Sequence, residues 1–288
     1  MKTAIALGTF DGVHIGHKAV LQTAANSGLT SIAVAFRIPP KAYFQNEGVI
    51  LTREDRKTAL IKDIGIKQVE YLDFNKVKDI SPEDFFDYLY KTFSPALIVC
   101  GYNYTFGKGG KGNTELLKKL CEQKEVELKV IDKVSVDEQP VSSSYIRKLL
   151  KDGKTSDAVK LLPDGFFIEE IVLHGDKRGR EMSFPTFNQY YSKDMAAVKY
   201  GVYMTKAIID GKAYFGMTNI GIRPTFPLDA PLCETNLFDF SGELYSKTIR
   251  LYLLRFIREE KKFSSLEELK TAIYNDKQQI LRLLRGEK

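Results

Sequence analysis

Gly8-Thr9-Phe10-Asp11-Gly12-Val13-His14-Ile15-Gly16-His17 follows the short apolar run Thr3 to Leu7 and opens onto a helical pattern, Lys18 to Asn26, that Gly28 closes. A helix start offers unpaired backbone N–H groups and the positive end of the helix dipole, so a phosphate is favoured there. Gly8, Gly12 and Gly16 let the backbone turn sharply and approach a ligand closely, while the imidazoles of His14 and His17 can donate hydrogen bonds to charge developing on phosphate oxygens. The chain has 3 histidines, and two of them stand in this one turn, which separates them from a chance pair on a surface.

Outward from this turn, short apolar runs alternate with helical patterns, as a parallel sheet with crossover helices requires. Thr30 to Phe36, Gln68 to Phe74, Ala96 to Gly101 and Glu127 to Ile131 read as further strands. Thr52 is expected to cap a helix with Asp55 three residues on, and Ser81-Pro82-Glu83-Asp84 sets a cap, a first-turn proline and acidic residues at another. The first half is thus read as an α/β domain with a doubly wound parallel sheet, which binds ligands beyond the carboxyl ends of its strands. Val141 to Pro163 reads as helical, interrupted at Gly153 and Lys154. Beyond Asp164, Phe166 to Leu173, Gly201 to Ile209, Lys212 to Thr218, Glu234 to Phe240 and Thr248 to Phe256 are strand-like and separated by Gly, Asp and Pro turns. These predict a small β-barrel, followed by a terminal helix with a capping box from Ser264 to Glu267 and an apolar face of Leu266, Leu269, Ile273, Ile280 and Leu283. The expected domains are 1–160 and 161–288.

A length of 288 residues, 43% of them hydrophobic, suits two modest cores. The net charge of +6 is spread along the chain. That balance fits anionic small molecules such as nucleotides, and lacks the clustered basic stripe of a nucleic-acid binder. Cys100, Cys121 and Cys233 are far apart, with no metal-ligand spacing, and read as reduced thiols. Gly8 and Asp11 end the first apolar run too early for a signal peptide, and no apolar stretch approaches the roughly 20 residues needed to span a bilayer. A soluble, cytoplasmic protein, a monomer or weak homo-oligomer, is expected.

The H-x-G-H arrangement resembles the nucleotidyltransferase superfamily, and the longer string from Gly8 to His17 looks like the N-terminal motif of the prokaryotic bifunctional riboflavin kinase/FMN adenylyltransferases. Gly101-Tyr102-Asn103-Tyr104-Thr105-Phe106-Gly107 is similar to that family's G-x-D-F-R-F-G segment, and Val141-Ser142-Ser143-Ser144-Tyr145-Ile146-Arg147 to its S-S-T-x-I-R segment; collinear similarity runs from about Ile5 to Ile273. The resemblance implies a direct displacement in which the FMN phosphate attacks the α-phosphorus of ATP and pyrophosphate leaves. His14 and His17 would hold the triphosphate beside Gly8, Phe10 and Gly16. Ser142, Ser143 and Arg147 would meet its outer phosphates, although outside this motif Arg147 would read as an ordinary solvated helix charge. Phe36 and Pro39 would wall the isoalloxazine ring, or simply end a strand, with Asn103 and Tyr104 on the flavin side. Asn103 and Thr105 stand where the family has an acidic and a basic residue, so hydrogen bonding is kept there and charge is not.

In the second half, Gly175-Asp176-Lys177-Arg178-Gly179-Arg180 and Phe184-Pro185-Thr186-Phe187-Asn188 resemble the riboflavin kinase motif that ends in P-T-A-N. By that resemblance Thr186 and Asn188 supply oxygen ligands to Mg²⁺, Gly179 and Arg180 meet ATP, and Glu234 takes the proton from the ribityl 5′-hydroxyl. Asn219-Ile220-Gly221-Ile222-Arg223-Pro224-Thr225-Phe226 and Phe256-Ile257-Arg258-Glu259-Glu260 are further family landmarks. There are departures: Met182-Ser183 for Leu-Gly, Phe187 for a small alanine, Asn236 for a frequent histidine, and Ser246 for a turn glycine. Thr186 and Asn188 share one face of an extended segment while Phe187 points to the other, so Phe187 has to fit behind the site or displace the segment. A positive φ at Ser183 or Ser246 would cost about 1 kcal/mol. The implied enzyme uses ATP, Mg²⁺, riboflavin, FMN and FAD. Four readings stay open: a bifunctional enzyme, an FMN adenylyltransferase with a silent or regulatory barrel, an adenylyltransferase acting on another phosphorylated small molecule, since H-x-G-H alone does not identify the acceptor, and a flavin-sensing regulator.

Overall fold

The computed structural model describes residues 2–44, 49–173, 185–222 and 230–287. The chain forms two compact units, Met1–Ile146 with Leu161–Asp164, and Arg147–Lys160 with Gly165–Lys288. In the first, β1 (Thr3–Leu7) is followed by α1 (Ile15–Ala25), β2 (Thr30–Phe36), α2 (Glu54–Asp63), β3 (Gln68–Leu72), α3 (Phe74–Val77), α4 (Pro82–Phe93), β4 (Pro95–Gly101), α5 (Thr114–Gln123) and β5 (Glu127–Ile131). All five strands are parallel, in the order β3-β2-β1-β4-β5, the doubly wound sheet read from the sequence.

The alternation within β1 and β2 explains how helices cover both faces. Ile5, Leu7, Ile32 and Val34 meet Phe85, Phe86 and Leu89 of α4 and Leu117 and Cys121 of α5. On the opposite face Ala4, Ala6, Ala33 and Ala35 are small, which lets Val20, Leu21 and Ala24 of α1 and Ile61 of α2 approach closely. Ser81 caps α4 as expected, its Oγ accepting from Asp84 N at 3.0 Å. The expected cap of α2 is displaced by one residue. Arg53 holds the N-cap position, because the N–H groups of Leu51 and Thr52 are drawn to Asp11 Oδ1 at 2.9 and 3.3 Å. The strand from Gln68 ends at Leu72 rather than Phe74, because Asp73 caps α3 by accepting from Asn75 N.

A two-residue-strand hairpin, β6 (Ser135–Val136) and β7 (Gln139–Pro140), precedes α6 (Ser143–Lys151) and α7 (Thr155–Leu161), which fill the stretch read as interrupted helix. The second unit continues with β8 (Phe167–Ile171), β9 (Phe187–Tyr190), β10 (Gly201–Ile209), β11 (Lys212–Gly221), β12 (Leu232–Leu237), β13 (Thr248–Glu259) and the terminal helix α8 (Leu266–Leu284). Its six strands form an antiparallel sheet in the order β8-β13-β10-β11-β12-β9. Leu173 N donates to Asn188 O at 2.8 Å and bridges the two ends, so the barrel is nearly closed. The cap of α8 lies one residue later than expected: Ser265 accepts from Glu268 N at 3.1 Å, and Glu268 returns the bond to Ser264 N at 2.9 Å. Leu266 is 57% exposed, so the apolar face starts later, with Ile273, Ile280, Leu281 and Leu284 packing near Val202, Met217 and Phe238. Arg258 of β13 grips the buried Asp276 of α8 through three hydrogen bonds of 2.7 to 3.1 Å, which docks the helix more firmly than apolar contact alone. Cys100, Cys121 and Cys233 are buried and unbridged, and burial pushes the Cys100 and Cys121 thiols up to about 12. None of these thiols is activated.

Candidate functional site

In the first unit the glycine-rich turn leaves β1 at its carboxyl end and delivers two imidazoles to the start of α1. Phe10, Gly12 and Val13 have φ of 49°, 85° and 40°, a compact left-handed path that is costly for the two non-glycine residues. The path is over-determined by its surroundings. Phe10 is fully buried, Gly8 N bonds Val34 O at 3.3 Å, and Asp11 is held by the two amides ahead of α2. His14 is the N-cap of α1, its Nδ1 accepting from His17 N at 3.2 Å. An acceptor at Nδ1 assigns the ring proton of neutral His14 to Nε2. The two rings stack at 3.6 Å and 16°, and Phe10 braces His17 edge-on at 5.3 Å. A Cβ on Gly16 would stand 3.2 Å from the His14 ring, a tight contact that the ring would have to yield to by a few tenths of an ångström.

A segment 132 residues away closes on this turn: Ser143 Oγ donates to Asp11 O at 3.0 Å. Ser142 Oγ accepts from Tyr145 N at 3.2 Å and caps the following helix. The histidine turn and the serine segment are therefore assembled in one unit. Arg147, four residues on in α6, is grouped with the second unit. Of the residues expected to meet the flavin, Phe36 ends β2 and Pro39 is buried ahead of a short helical turn, Pro40–Tyr43. Phe74 collects Phe36, Tyr43 and Phe44 around itself with ring centroids 5.8, 4.7 and 5.9 Å away, an aromatic cluster at the carboxyl ends of β2 and β3. Tyr104 is half-buried, stacks on Phe106, and has its hydroxyl pushed up by burial, whereas Asn103 is exposed. Missed in the sequence is Lys57, which lies in the charged run Glu54-Asp55-Arg56-Lys57 and looks there like a solvated helix face. Its ammonium is buried and binds the carbonyls of Phe36 and Arg37.

In the second unit, register sets Asn188 of β9 beside Glu234 of β12, and Glu234 beside Asn219 of β11. Paired residues on neighbouring strands share a face, so these three side chains form one row. Asn188 is buried and its Oδ1 has no hydrogen-bond partner among the described residues. An orphaned amide oxygen next to the exposed Thr186 matches what a hard cation takes as ligands. Phe187 fits behind the site: it pairs with Thr235 on the opposite face and is buried there. Asn236 Nδ2 donates to Pro185 O at 2.8 Å and anchors the chain just ahead of Thr186. Gly179 and Arg180, with Met182 and Ser183, lie outside the described residues.

Ser246 does occupy a positive φ, 64°, the strain expected where a glycine is usual. Ser246→Gly is expected to stabilise the second unit by about 1 kcal/mol, visible as a rise of about 2–4 °C in its melting transition. A lower melting temperature would show that the serine side chain repays the strain.

The comparisons with known proteins follow the same division. A family model described as FAD synthetase matches residues 1–145, and one described as riboflavin kinase matches 162–284. A bifunctional riboflavin kinase/FMN adenylyltransferase of Bacillus subtilis is 35% identical over 98% of this chain and 92% of its own length. That of Escherichia coli K12 is 31% identical over 94% of this chain and 90% of its own. A crystal structure described as a macrolide-efflux protein from Streptococcus pneumoniae superposes with a TM-score of 0.86 at 27% identity, covering 96% of this chain and 93% of that one. Among the described residues of this protein no helix is long and apolar enough to cross a membrane. Two family models that together span nearly the whole chain, and full-length relatives above 30% identity, show that it belongs to the family of bifunctional riboflavin kinase/FMN adenylyltransferases.

Proposed function

We propose that this protein makes FAD from FMN and ATP in its first unit and FMN from riboflavin and ATP in its second. The observation that carries the first activity is the His14–His17 stack at the start of α1, backed by Ser143 on Asp11 O. In the adenylyl transfer a phosphate oxygen of FMN attacks the α-phosphorus of ATP, the bond to the bridging oxygen of the β-phosphate breaks, and pyrophosphate leaves. No protein nucleophile is required, so the rate comes from alignment and from stabilising charge on the phosphates. The Nε2–H of His14, the His17 ring and the N–H groups at the start of α1 are the donors that supply that stabilisation, with Gly8 and Gly16 giving close backbone approach. Phe36, Pro39, Asn103 and Tyr104 receive the flavin, with the Phe74 cluster offering an aromatic edge to a planar ring.

In the second unit Thr186 Oγ1 and Asn188 Oδ1 are the groups that would hold Mg²⁺, which when bound neutralises charge on the ATP phosphates. Glu234, beside Asn188 in the row, accepts the proton of the riboflavin 5′-hydroxyl as its oxygen bonds the γ-phosphorus and ADP departs.

The deciding experiment gives purified protein ATP and Mg²⁺ with riboflavin in one tube and FMN in another, and separates the flavins by chromatography. FAD from both tubes is expected. FAD from FMN alone would leave a dedicated adenylyltransferase with a silent barrel, and FAD from neither would overturn the reading.

A further inference from the structure

Lysine is almost never fully buried without a partner, yet Lys57 is only 1% exposed. It projects from α2 toward the carboxyl end of β2, where its ammonium donates to Phe36 O at 2.5 Å and Arg37 O at 2.8 Å. It also lies 5.2 Å from the centroid of the Tyr71 ring on β3. These carbonyls belong to the last residue of β2 and the one after it, where the chain leaves the sheet and its acceptors need another donor. The residues immediately ahead of α2 are fastened to the phosphate turn through Asp11, which accepts from Leu51 N and Thr52 N. One helix thus joins the turn that carries His14 to the strand end that carries Phe36.

The charges around the ammonium come from each neighbouring element. Burial brings Lys57 down to about 8, opposed by the attraction of Asp11 in the turn and Glu54 on α2, and reinforced by Arg37 after β2. The Tyr71 hydroxyl is engaged with Thr58 Oγ1 at 2.8 Å. Stability alone does not call for a charge here, since apolar residues of similar volume often replace buried ions at no loss. What an apolar side chain would not do is hold two carbonyls at the flavin end of the sheet.

We propose that Lys57 is a positioning residue for FMN, its ammonium fixing the Phe36–Arg37 strand end against which the isoalloxazine ring is received. The assignment rests on the FMN adenylyltransferase reading of the first unit. Its consequence is selective: loss of the charge loosens the flavin wall and leaves the His14–His17 turn, held by its own bonds, in place. The sign of the pH effect separates this from a structural role. The folded value lies below that of the unfolded chain, so between about 8 and about 10.5 the unfolded state binds more proton, and stability due to Lys57 rises with pH. A weakening of FMN binding as pH passes through about 8 is therefore not unfolding driven by this group.

The test measures FAD formation by the full chain with FMN and ATP varied separately from pH 7 to 9.5, and thermal melting, for the wild type, Lys57→Met and Lys57→Arg. For Lys57→Met, KM for FMN is expected to rise about tenfold, with kcat and KM for ATP within about twofold. In the wild type KM for FMN rises as pH passes through about 8, and in Lys57→Arg, whose guanidinium keeps its charge, it stays flat. A folded Lys57→Met with unchanged KM for FMN, or with both KM values raised alike, overturns the assignment. Should Lys57→Met fail to fold, Lys57→Gln in the same assay decides, and an unchanged KM for FMN in the folded variant overturns it. Absence of FAD formation by the wild type would instead overturn the adenylyltransferase reading beneath it.

Discussion

Replacing His14 and His17 together by alanine is expected to lower the rate of FAD formation from FMN by about a thousandfold or more, since each donor to a developing phosphate charge is worth roughly 10²–10³. The two rings stack at 3.6 Å and share one helix start, so they act as a unit, and either single replacement is expected to cost nearly as much as both. His14 is also the cap of α1, so the double variant loses about 1 kcal/mol of stability and melts a few degrees lower without unfolding. Steady-state rates of single and double variants, with a melting curve for each, check both parts. A folded double variant that keeps turnover within about tenfold of the wild type would remove the histidines from phosphate handling.

Glu234→Gln is expected to reduce riboflavin phosphorylation by about 10²–10⁴, the usual worth of a positioned general base, while leaving FMN adenylylation unchanged. Glutamine keeps the volume and one acceptor, so the row Asn188, Glu234, Asn219 is preserved and only the proton-accepting charge is lost. Measuring FMN from riboflavin and FAD from FMN on the same preparation separates the two sites. Equal phosphorylation by variant and wild type would exclude Glu234 from the proton transfer.

Much of the fold is legible residue by residue. The bounds expected for β1, β2, β5 and β10 are the observed ones, because each is a short apolar run between turn residues and its limits are local facts. Caps are less secure. Thr52 and Ser264 both sit one residue from the true cap, Thr52 because Asp11 on another part of the chain claims its N–H. The strand β9 is absent from the strands read in the sequence, although Thr186 to Asn188 is taken there as extended: Phe187-Asn188-Gln189-Tyr190 has no apolar alternation to distinguish it and exists because β12 pairs with it.

The candidate sites divide the same way. His14, His17 and the glycines around them stand out by their spacing, since residues three apart at a helix start lie on one side of it by local geometry. The aromatic company of Phe36 and the burial of Lys57 carry no local mark, and a lysine in a run of charges reads as solvated until the chain folds over it.

By itself, then, the sequence determined the alternation of strands and helices, the change to a barrel after Asp164, and the glycine- and histidine-rich turn ahead of the first helix, all consequences of spacing within a few residues. Only the tertiary structure decided that Ser143 closes on Asp11, that Phe187 turns inward behind Asn188, that Ser246 carries a positive φ, and that Lys57 holds the end of β2. The turn at Ser246 is held by a distant part of the chain, Ser246 N donating to Val172 O at 3.0 Å. Each of the other contacts joins residues whose separation along the chain holds no information about their distance in space, and burial and strand pairing bring them together.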